Sequence, residues 1–280
     1  MGIKTTLLNA VTSLIRKGVQ VGAAGRSPQA LAHISEKLAP VVEQDAGIGK
    51  LRFFCPSILP EWRARTLMTK EPETMEWINS FDKSDVLWDV GANVGVYTLY
   101  AALHGVSVYA FEPSPSNYYL LSRNIEINGF DEKISSFCVA FNDETQLESL
   151  YMASTELGGA LSSFGEAKDW RGDTYDVKFK QAMLGYSIDD FISQFIPAFP
   201  NHLKIDVDGI EKKIVDGATK TLSDKRLKTV LIELNINLDE CSEIINIMDG
   251  HGFVLDKREH AEEFYLGEAL AIYNHIFVRK

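Results

Sequence analysis

The chain has 280 residues, of which 45% are hydrophobic and 24% charged, a composition typical of a folded globular protein. Its 39 acidic and 28 basic residues give a formal net charge of −11, which argues against a nucleic-acid partner. The three cysteines form no Cys-x-x-Cys pair, so we expect no disulfide framework, no cysteine-based zinc site and a reducing, cytoplasmic location. No apolar run approaches the ~20 residues of a membrane span, so we expect no membrane-spanning helix.

Residues 1–83 are predicted to form a helical N-terminal extension or cap. Apolar residues recur at helical spacing near the start, and glycines and prolines interrupt the pattern further along. The extension ends in an aromatic-rich segment at 52–81, RFFCPSILPEWRARTLMTKEPETMEWINSF. Its arginines and aromatic rings are candidates for covering a binding pocket, for binding a sugar acceptor or for a plain packing interface.

Residues 84–280 show the alternation of short β-branched runs and helical patterns that is typical of βαβ units and a parallel sheet. The predicted strands are 86–90, 106–112, 134–140, 202–207 and 229–234. The predicted helices are 94–103, 116–128, 188–196 and 210–222, with Ser116 and Ser187 as N-caps. The runs 252–256 and 269–278 are expected to form an antiparallel hairpin at the sheet edge.

Residues 141–186 form a predicted insertion that is rich in glycine and serine in its middle part. The insertion follows the third predicted strand. Open α/β sheets bind ligands outside the carboxyl ends of their strands, so we expect the insertion to lie near the active site.

The first motif with chemical content is WDVGANVGVYTLY at 88–100, in which an acidic residue ends a strand and a glycine turn opens a helix. Gly91 permits the tight turn, and Gly95 permits close packing of the helix against the strand. Glu112 closes the next strand 21 positions after Gly91, where a carboxylate can accept from both ribose hydroxyls.

The charge at this turn indicates whether the ligand is a dinucleotide or another adenosine-containing molecule. Asp89 lies two residues before Gly91, so a pyrophosphate bound there would face a carboxylate. Asn93 also replaces the middle glycine that lets the backbone approach a pyrophosphate. A ligand with an ammonium group suits the turn better, and S-adenosylmethionine carries both an ammonium group and a ribose.

The second motif is HLKIDVDGIEKKIVDGATKTL at 202–222, in which two aspartates flank the end of an apolar strand. Asp206 is expected to point into the pocket, since polar groups at the carboxyl end of a central strand carry the chemistry of this architecture. Asp208 has two open interpretations, a role in the site or capping of the following helix. Glu211 is interpreted as a cap.

The motifs DVGANVGVYTLY, VYAFEPSPSNYYLLSRNIEIN, YSIDDF and LKIDVDGIEKKIVDGA occur in this order, and over residues 55–235 the chain resembles FkbM-type S-adenosylmethionine-dependent methyltransferases. The resemblance implies the class I methyltransferase (Rossmann-like) α/β fold, with a seven-stranded, mostly parallel sheet formed by residues 84–280. It also implies O-methylation of sugars, polysaccharides or polyketide-type natural products. Asp208 departs from the family, which commonly has glutamate there.

The resemblance assigns the glycine turn to the methionine end of the cofactor, Glu112 to the ribose and the region of 140–142 to the adenine. The cofactor-binding candidates are Asp89, Gly91, Ala92, Asn93, Gly95, Glu112, Pro113, Ala140 and Asn142.

The catalytic candidates are Asp206, Asp208 and Glu233, and two arrangements are open. In the favoured one, Asp206 removes the proton of the acceptor hydroxyl without a metal. In the other, Asp206, Glu233 and Asn235 hold Mg²⁺, which lowers the pKa of the hydroxyl. No metal ligand is assigned.

The expected partner is a small-molecule or glycan acceptor, and neither its identity nor the oligomeric state follows from the sequence. Two alternatives to methyl transfer remain. One is an NAD-dependent oxidoreductase, and the other is a non-catalytic protein that binds S-adenosylmethionine.

Overall fold

The computed structural model describes residues 2–22 and 26–280, and their contacts divide the chain into two compact units, Met1–Val41 and Val42–Lys280. The first unit consists of two helices, α1 (Gly2–Gly22) and α2 (Ser27–Lys37), which confirms the helical start of the extension. Val11, Leu14 and Ile15 of α1 are exposed. Among the described helices none combines the length and apolar character needed to span a bilayer.

The second unit contains the remaining elements. Its strands are β1 (Val41–Asp45), β2 (Lys50–Phe54), β3 (Val86–Val90), β4 (Ser107–Phe111), β5 (Ile134–Phe137), β6 (Ala140–Phe141), β7 (Gln146–Met152), β8 (Ser162–Phe164), β9 (Phe179–Tyr186), β10 (His202–Ile205), β11 (Thr229–Asn235), β12 (Phe253–Glu259) and β13 (Ile272–Arg279). Its helices are α3 (Ile58–Arg65), α4 (Pro72–Asn79), α5 (Val96–His104), α6 (Pro115–Asn128), α7 (Ile188–Phe195), α8 (Glu211–Asp216), α9 (Thr219–Ser223) and α10 (Asp239–Gly250).

The main sheet has seven strands in the order β12-β13-β11-β10-β3-β4-β5. Strands β11, β10, β3, β4 and β5 are parallel, and β13 pairs antiparallel with both β11 and β12. This topology confirms the predicted fold class and the terminal hairpin. The strand order reverses at β3, so the crevice between the ends of β3 and β10 is the switch point where this architecture binds ligands.

Both faces of the main sheet are covered, which explains why its central strands are apolar almost throughout. Trp88 and Val90 of β3 pack into one hydrophobic layer, whereas Leu87 packs into the other. This second layer contains residues from the extension, among them Leu51, Phe53, Ile78 and Phe81. Residues 42–83 therefore share a core with the sheet, and the domain boundary expected at 83/84 stays a prediction.

Several elements differ from expectation. The extension is not purely helical, because β1 and β2 form a two-stranded sheet in which Leu51 and Phe53 are the buried alternate residues. Ser116 is not an N-cap: α6 begins one residue earlier, at Pro115, since proline is well suited to the first helical position. The predicted helix over 210–222 is divided into α8 and α9, and α10 was not predicted.

The N-cap predicted at Ser187 is confirmed, because its hydroxyl oxygen accepts from Asp190 N at 3.1 Å. The insertion folds as a second sheet of four strands in the order β6-β9-β7-β8. The run predicted as one strand over 134–140 is divided, since 134–137 belong to the main sheet and Ala140 pairs with β9.

Candidate active site

The glycine turn after β3 presses against the end of β10. Gly91 has φ +89°, and a Cβ on it would lie 1.8 Å from the carbonyl oxygen of Asp206. Gly95 has φ +87°, and a Cβ there would lie 2.5 Å from Leu121 of α6, so its close contact is with a helix and not with the strand as expected. Side chains at these two positions would clash, so the turn requires glycine.

Asp89 and Lys204 are register partners on β3 and β10, and both are 1% exposed. Asp89 Oδ2 accepts from Thr98 Oγ1 at 2.5 Å, while Oδ1 has no hydrogen-bond partner among the described residues. Burial raises the pKa of Asp89, and the charge of Lys204 and the Thr98 hydrogen bond oppose that rise. The turn thus presents a buried oxygen that is ready to accept a donor from a ligand.

Glu112 ties the glycine turn to the end of β4. One carboxylate oxygen accepts from Asn93 N and the other from Ser114 N, both at 2.8 Å. Burial raises its pKa to about 7, against the effect of these hydrogen bonds. Glu112 and Pro113 line a cavity of about 260 Å³ that also reaches Asp206.

The residues predicted to flank an adenine lie differently. Ala140 lines an apolar recess together with Val139, Phe141 and Phe164. Asn142 is not among its lining residues, and its backbone N–H donates to Tyr186 O at 2.9 Å. Their contact with the cofactor stays a prediction.

A loop of the insertion, residues 158–161, is fastened over the cavity by side chains. Gly159 O accepts from Asn93 Nδ2 and from Asn117 Nδ2, each at 2.9 Å. Asp208 Oδ2 accepts from Leu161 N at 2.9 Å. The insertion therefore lies at the site, as expected, and the carboxylate of Asp208 holds this loop.

A cluster of charged side chains lies next to the glycine turn. Asp206 Oδ2 accepts from Lys204 Nζ at 2.6 Å, and Glu71 Oε1 accepts from Lys70 Nζ at 2.6 Å. Carboxylate oxygens of Glu71, Asp206 and Glu233 all lie within 4.8 Å of one another, a spacing that could hold a metal ion. This set is not the one expected for Mg²⁺.

Asn235 does not join these carboxylates. Its side-chain amide donates to Trp170 O at 3.1 Å, on the side of a neighbouring cavity. Glu71, from the segment before α4, takes its place.

The environment separates the protonation of these carboxyls. Burial raises the pKa of Glu71, but Lys70 and Lys204 outweigh it and lower the pKa to about 2. Burial, reinforced by Asp206, raises the pKa of Glu233 well above its usual value, and the same two causes raise the pKa of Asp208. Glu71 is therefore ionised at neutral pH, whereas the surroundings of Glu233 and Asp208 favour their protonated forms.

Sequence reasoning missed Lys204, Lys70 and Glu71. Lys204 had a signal: a lysine inside an apolar strand must find an anion, and it shares a strand face with Asp206 two residues later. Glu71 and Lys70 had none, because the packing of the extension brings them to the site.

Comparisons with known proteins point to one family. A family model described as Methyltransferase FkbM domain matches residues 89–255. Hexuronic acid methyltransferase AglP of Haloferax volcanii is 25% identical over 203 residues, which cover 72% of this chain and 77% of that protein. The 31-O-demethyl-FK506 methyltransferase FkbM of Streptomyces tacrolimicus is 26% identical over 191 residues, which cover 61% and 73%.

Solved structures of methyltransferases also match, at low identity. Methyltransferase FkbM of Methylobacillus flagellatus is 17% identical with a TM-score of 0.47, and the match covers 70% of this chain. It covers 44% of that chain, so this chain spans less than half of its length.

Proposed function

The chain belongs to the FkbM family of methyltransferases, and on that premise we propose that it transfers a methyl group from S-adenosylmethionine to a hydroxyl oxygen of a sugar, polysaccharide or polyketide-type acceptor. The acceptor classes are supported by the relatives, one of which is named for hexuronic acid and the other for 31-O-demethyl-FK506. The observation that carries the proposal is the convergence of Asp89, Glu112 and Asp206 on the glycine turn.

The residues at the turn fit this cofactor. Asp89 Oδ1 is a buried acceptor without a partner among the described residues, which suits an ammonium group. Glu112 lines the cavity where a ribose would lie. Gly91 lets the turn pack directly against the carbonyl of Asp206, which brings the end of β10 next to the turn. Asp89, Gly91, Ala92, Asn93, Gly95, Glu112, Pro113, Ala140 and Asn142 remain the proposed cofactor-binding set.

When bound, S-adenosylmethionine supplies a methyl group on a positively charged sulfur, which needs no further activation. The protein's main task is then to hold the acceptor oxygen in line with the sulfur–carbon bond, about 3 Å from the methyl carbon. Asp206 accepts the hydroxyl proton as the oxygen attacks. Lys204 holds Asp206 Oδ2, and Oδ1 carries no hydrogen bond from the described residues. Asp206 therefore has one oxygen fixed and one available.

The metal-free arrangement remains our proposal. Glu71, Asp206 and Glu233 are spaced for a divalent ion. Lys70 and Lys204 already pair with the first two, however, and would have to be displaced or to compete with it. Bound metal would lower the pKa of an acceptor hydroxyl, the same task that the proposal gives to Asp206.

Calorimetry tests the cofactor. Purified protein should bind S-adenosylmethionine and S-adenosylhomocysteine, and Glu112→Ala should weaken both by at least ~10-fold, because each charge-assisted hydrogen bond contributes about 1.5–3 kcal/mol. Glu126→Ala, an exposed carboxylate on α6 paired with Arg123, is the matched control and should bind normally. Tighter binding of NAD than of S-adenosylmethionine would contradict the proposal.

The acceptor needs a separate experiment. Mass spectrometry of glycans and metabolites from cells with and without the protein should reveal a species that gains one methyl group on oxygen. Methylation on nitrogen or carbon only would contradict the proposed O-methyl transfer.

A further inference from the structure

Arg63 is a cation of the site that forms no ion pair with any carboxylate of the described residues. Within the part of the chain that the structure describes, the cavity around the glycine turn is lined by three cations, Arg63, Lys70 and Lys204. The two lysines each have a carboxylate oxygen at 2.6 Å. Within the described residues, the side chain of Arg63 forms one hydrogen bond, from Nε to Gly158 O at 2.7 Å, which leaves its terminal nitrogens available.

Among the described residues, the same cavity contains one carboxylate that forms no ion pair. Its carboxylates are Glu71, Asp89 and Asp206, and the two lysines are paired with the first and the last of them. Asp89 forms no ion pair: its Oδ2 accepts from Thr98 Oγ1, and its buried Oδ1 has no partner among the described residues. Arg63 and Asp89 are therefore the positive and the negative side chain of this cavity that form no ion pair among the described residues. Both line it together with Gly91 and Ala92.

A zwitterion is the ligand that complements such a recess. On the proposed function, the amino-acid end of S-adenosylmethionine is that zwitterion, with an ammonium and a carboxylate group bonded to the same α-carbon. We propose that Arg63 binds the cofactor carboxylate while Asp89 receives the ammonium group. The planar guanidinium presents its terminal N–H groups as a fork that matches the two oxygens of a carboxylate.

This assignment makes α3 part of the cofactor site. Arg63 lies before residues 89–255, the region that the family model matches. Its Nε holds Gly158 of the loop fastened over the cavity, so one side chain contacts both the loop and the cofactor.

Arg63→Gln separates these two contacts. The glutamine Nε2 lies at the position of the arginine Nε, so it can still donate to Gly158 O, while the terminal nitrogens and the charge are lost. Affinities are measured by calorimetry for S-adenosylhomocysteine and for 5′-methylthioadenosine, which has the nucleoside and sulfur but no amino-acid end. We expect Arg63→Gln to weaken the binding of S-adenosylhomocysteine by at least ~10-fold and to change the affinity for 5′-methylthioadenosine by less than two-fold.

Two further variants complete the design. Arg65→Ala removes a neighbouring arginine of α3 that is paired with Glu61 and exposed, and it should bind both ligands normally. Arg63→Ala removes the loop contact as well. It should weaken both ligands, but S-adenosylhomocysteine by a larger factor, and this difference reports the carboxylate contact even if the loop loosens.

Equal loss of both ligands in Arg63→Gln and in Arg63→Ala would overturn the proposal, since Arg63 would then act only through the loop. Unchanged binding of S-adenosylhomocysteine by Arg63→Gln, with a raised KM for the acceptor, would overturn it in favour of an acceptor contact. If the unmodified protein binds neither S-adenosylmethionine nor S-adenosylhomocysteine, the proposed function itself has failed, which is a different result.

Discussion

The two ends of the central strands differ in how completely their polar groups are paired. At the amino ends of β3, β10 and β11, the ring of His202 bonds Asp85 at 2.9 Å and Thr229 at 2.7 Å. Lys228 Nζ donates to the second oxygen of Asp85 at 2.7 Å, and Trp77 Nε1 donates to Thr229 at 2.8 Å. The ring of Phe81, from the extension, stacks on the ring of His202. The polar side chains of this network are thus hydrogen-bonded to one another.

The carboxyl ends of the same strands are incomplete. Asp89 Oδ1 and Asn93 Oδ1 are buried and have no hydrogen-bond partner in the described residues. Arg63 forms no ion pair with a carboxylate of these residues. Buried polar atoms in native proteins are nearly always partnered, so atoms left without partners at one end of a sheet indicate a place for a ligand. The same strands therefore carry a mutually paired network at one end and the proposed binding site at the other.

Removal of residues 1–83 should have the largest effect, because the segment 42–83 contributes to both ends. It supplies Trp77 and Phe81 at the amino ends, and Lys70 and Glu71 at the carboxyl ends. A chain of residues 84–280 should be poorly soluble, without a cooperative thermal transition and without binding of S-adenosylhomocysteine. Removal of residues 1–41 alone is the control and should preserve both properties.

Circular dichroism and calorimetry decide this case. If residues 84–280 fold and bind the cofactor normally, the extension is an independent appendage, and its share in the core and in the pocket is without consequence.

Asp206→Asn should have the next largest effect, now restricted to the carboxyl ends. We expect turnover to fall by ~10²-fold or more, because general-base contributions run at about 10²–10⁴, while affinity for S-adenosylmethionine stays within a few-fold. Turnover is measured with S-adenosylmethionine and the acceptor found by mass spectrometry. Asp216→Asn, at a surface carboxylate paired with Lys212, is the matched control.

Excess EDTA separates the two versions of this step. If EDTA leaves the turnover of the unmodified enzyme unchanged, Asp206 acts as a direct base. If EDTA abolishes turnover and Mg²⁺ restores it, a metal is held by Asp206 together with Glu71 and Glu233. Normal turnover by Asp206→Asn would remove Asp206 from both versions.

The difference between the two ends also explains what the sequence could predict. Asp89, Glu112 and Asp206 are expected at the site because each ends a strand, and strand ends can be read from local patterns. The charge partners Glu71 and Lys70 could not be predicted, since their position depends on how the extension packs on the sheet. Asn235 shows the converse failure: it ends the correct strand, but its amide turns to Trp170 in the neighbouring cavity.

Local signals failed mainly where two of them competed. At the start of α6, serine, a residue type that favours the N-cap, stands at both 114 and 116, and Pro115 between them fixes the first helical position, so that Ser114 is the N-cap. At 210–222 the helical periodicity continues across Gly217, but a Cβ there would lie 2.3 Å from Asn142 O, so a tertiary contact requires glycine at the position where α8 ends. Such contacts join residues far apart in sequence, which a single sequence does not report.

His202→Gln should have the smallest effect, on stability alone. Burial lowers the pKa of His202 to about 4, and Lys228 contributes to the lowering while Asp85 opposes it. The unfolded chain takes up a proton near pH 6.5, before the folded protein does, so stability is present above that pH and is lost as the pH falls from about 6.5 towards 4. Because the pKa of His202 is lowered from 6.5 to about 4, the free energy of unfolding of the unmodified protein should fall by about 3 kcal/mol over this pH range.

The test is the pH dependence of urea unfolding between pH 4 and 7.5, because the free energy of unfolding of the unmodified protein should rise with pH more steeply than that of His202→Gln. His275, whose pKa burial also lowers to about 4, contributes equally to both proteins and cancels in the difference. Turnover at pH 7.5 should be unchanged by His202→Gln, since His202 lies at the end of β10 opposite Asp206. A large loss of turnover without loss of stability would contradict the division of labour between the two ends, because a paired residue at the amino end would then act in the reaction.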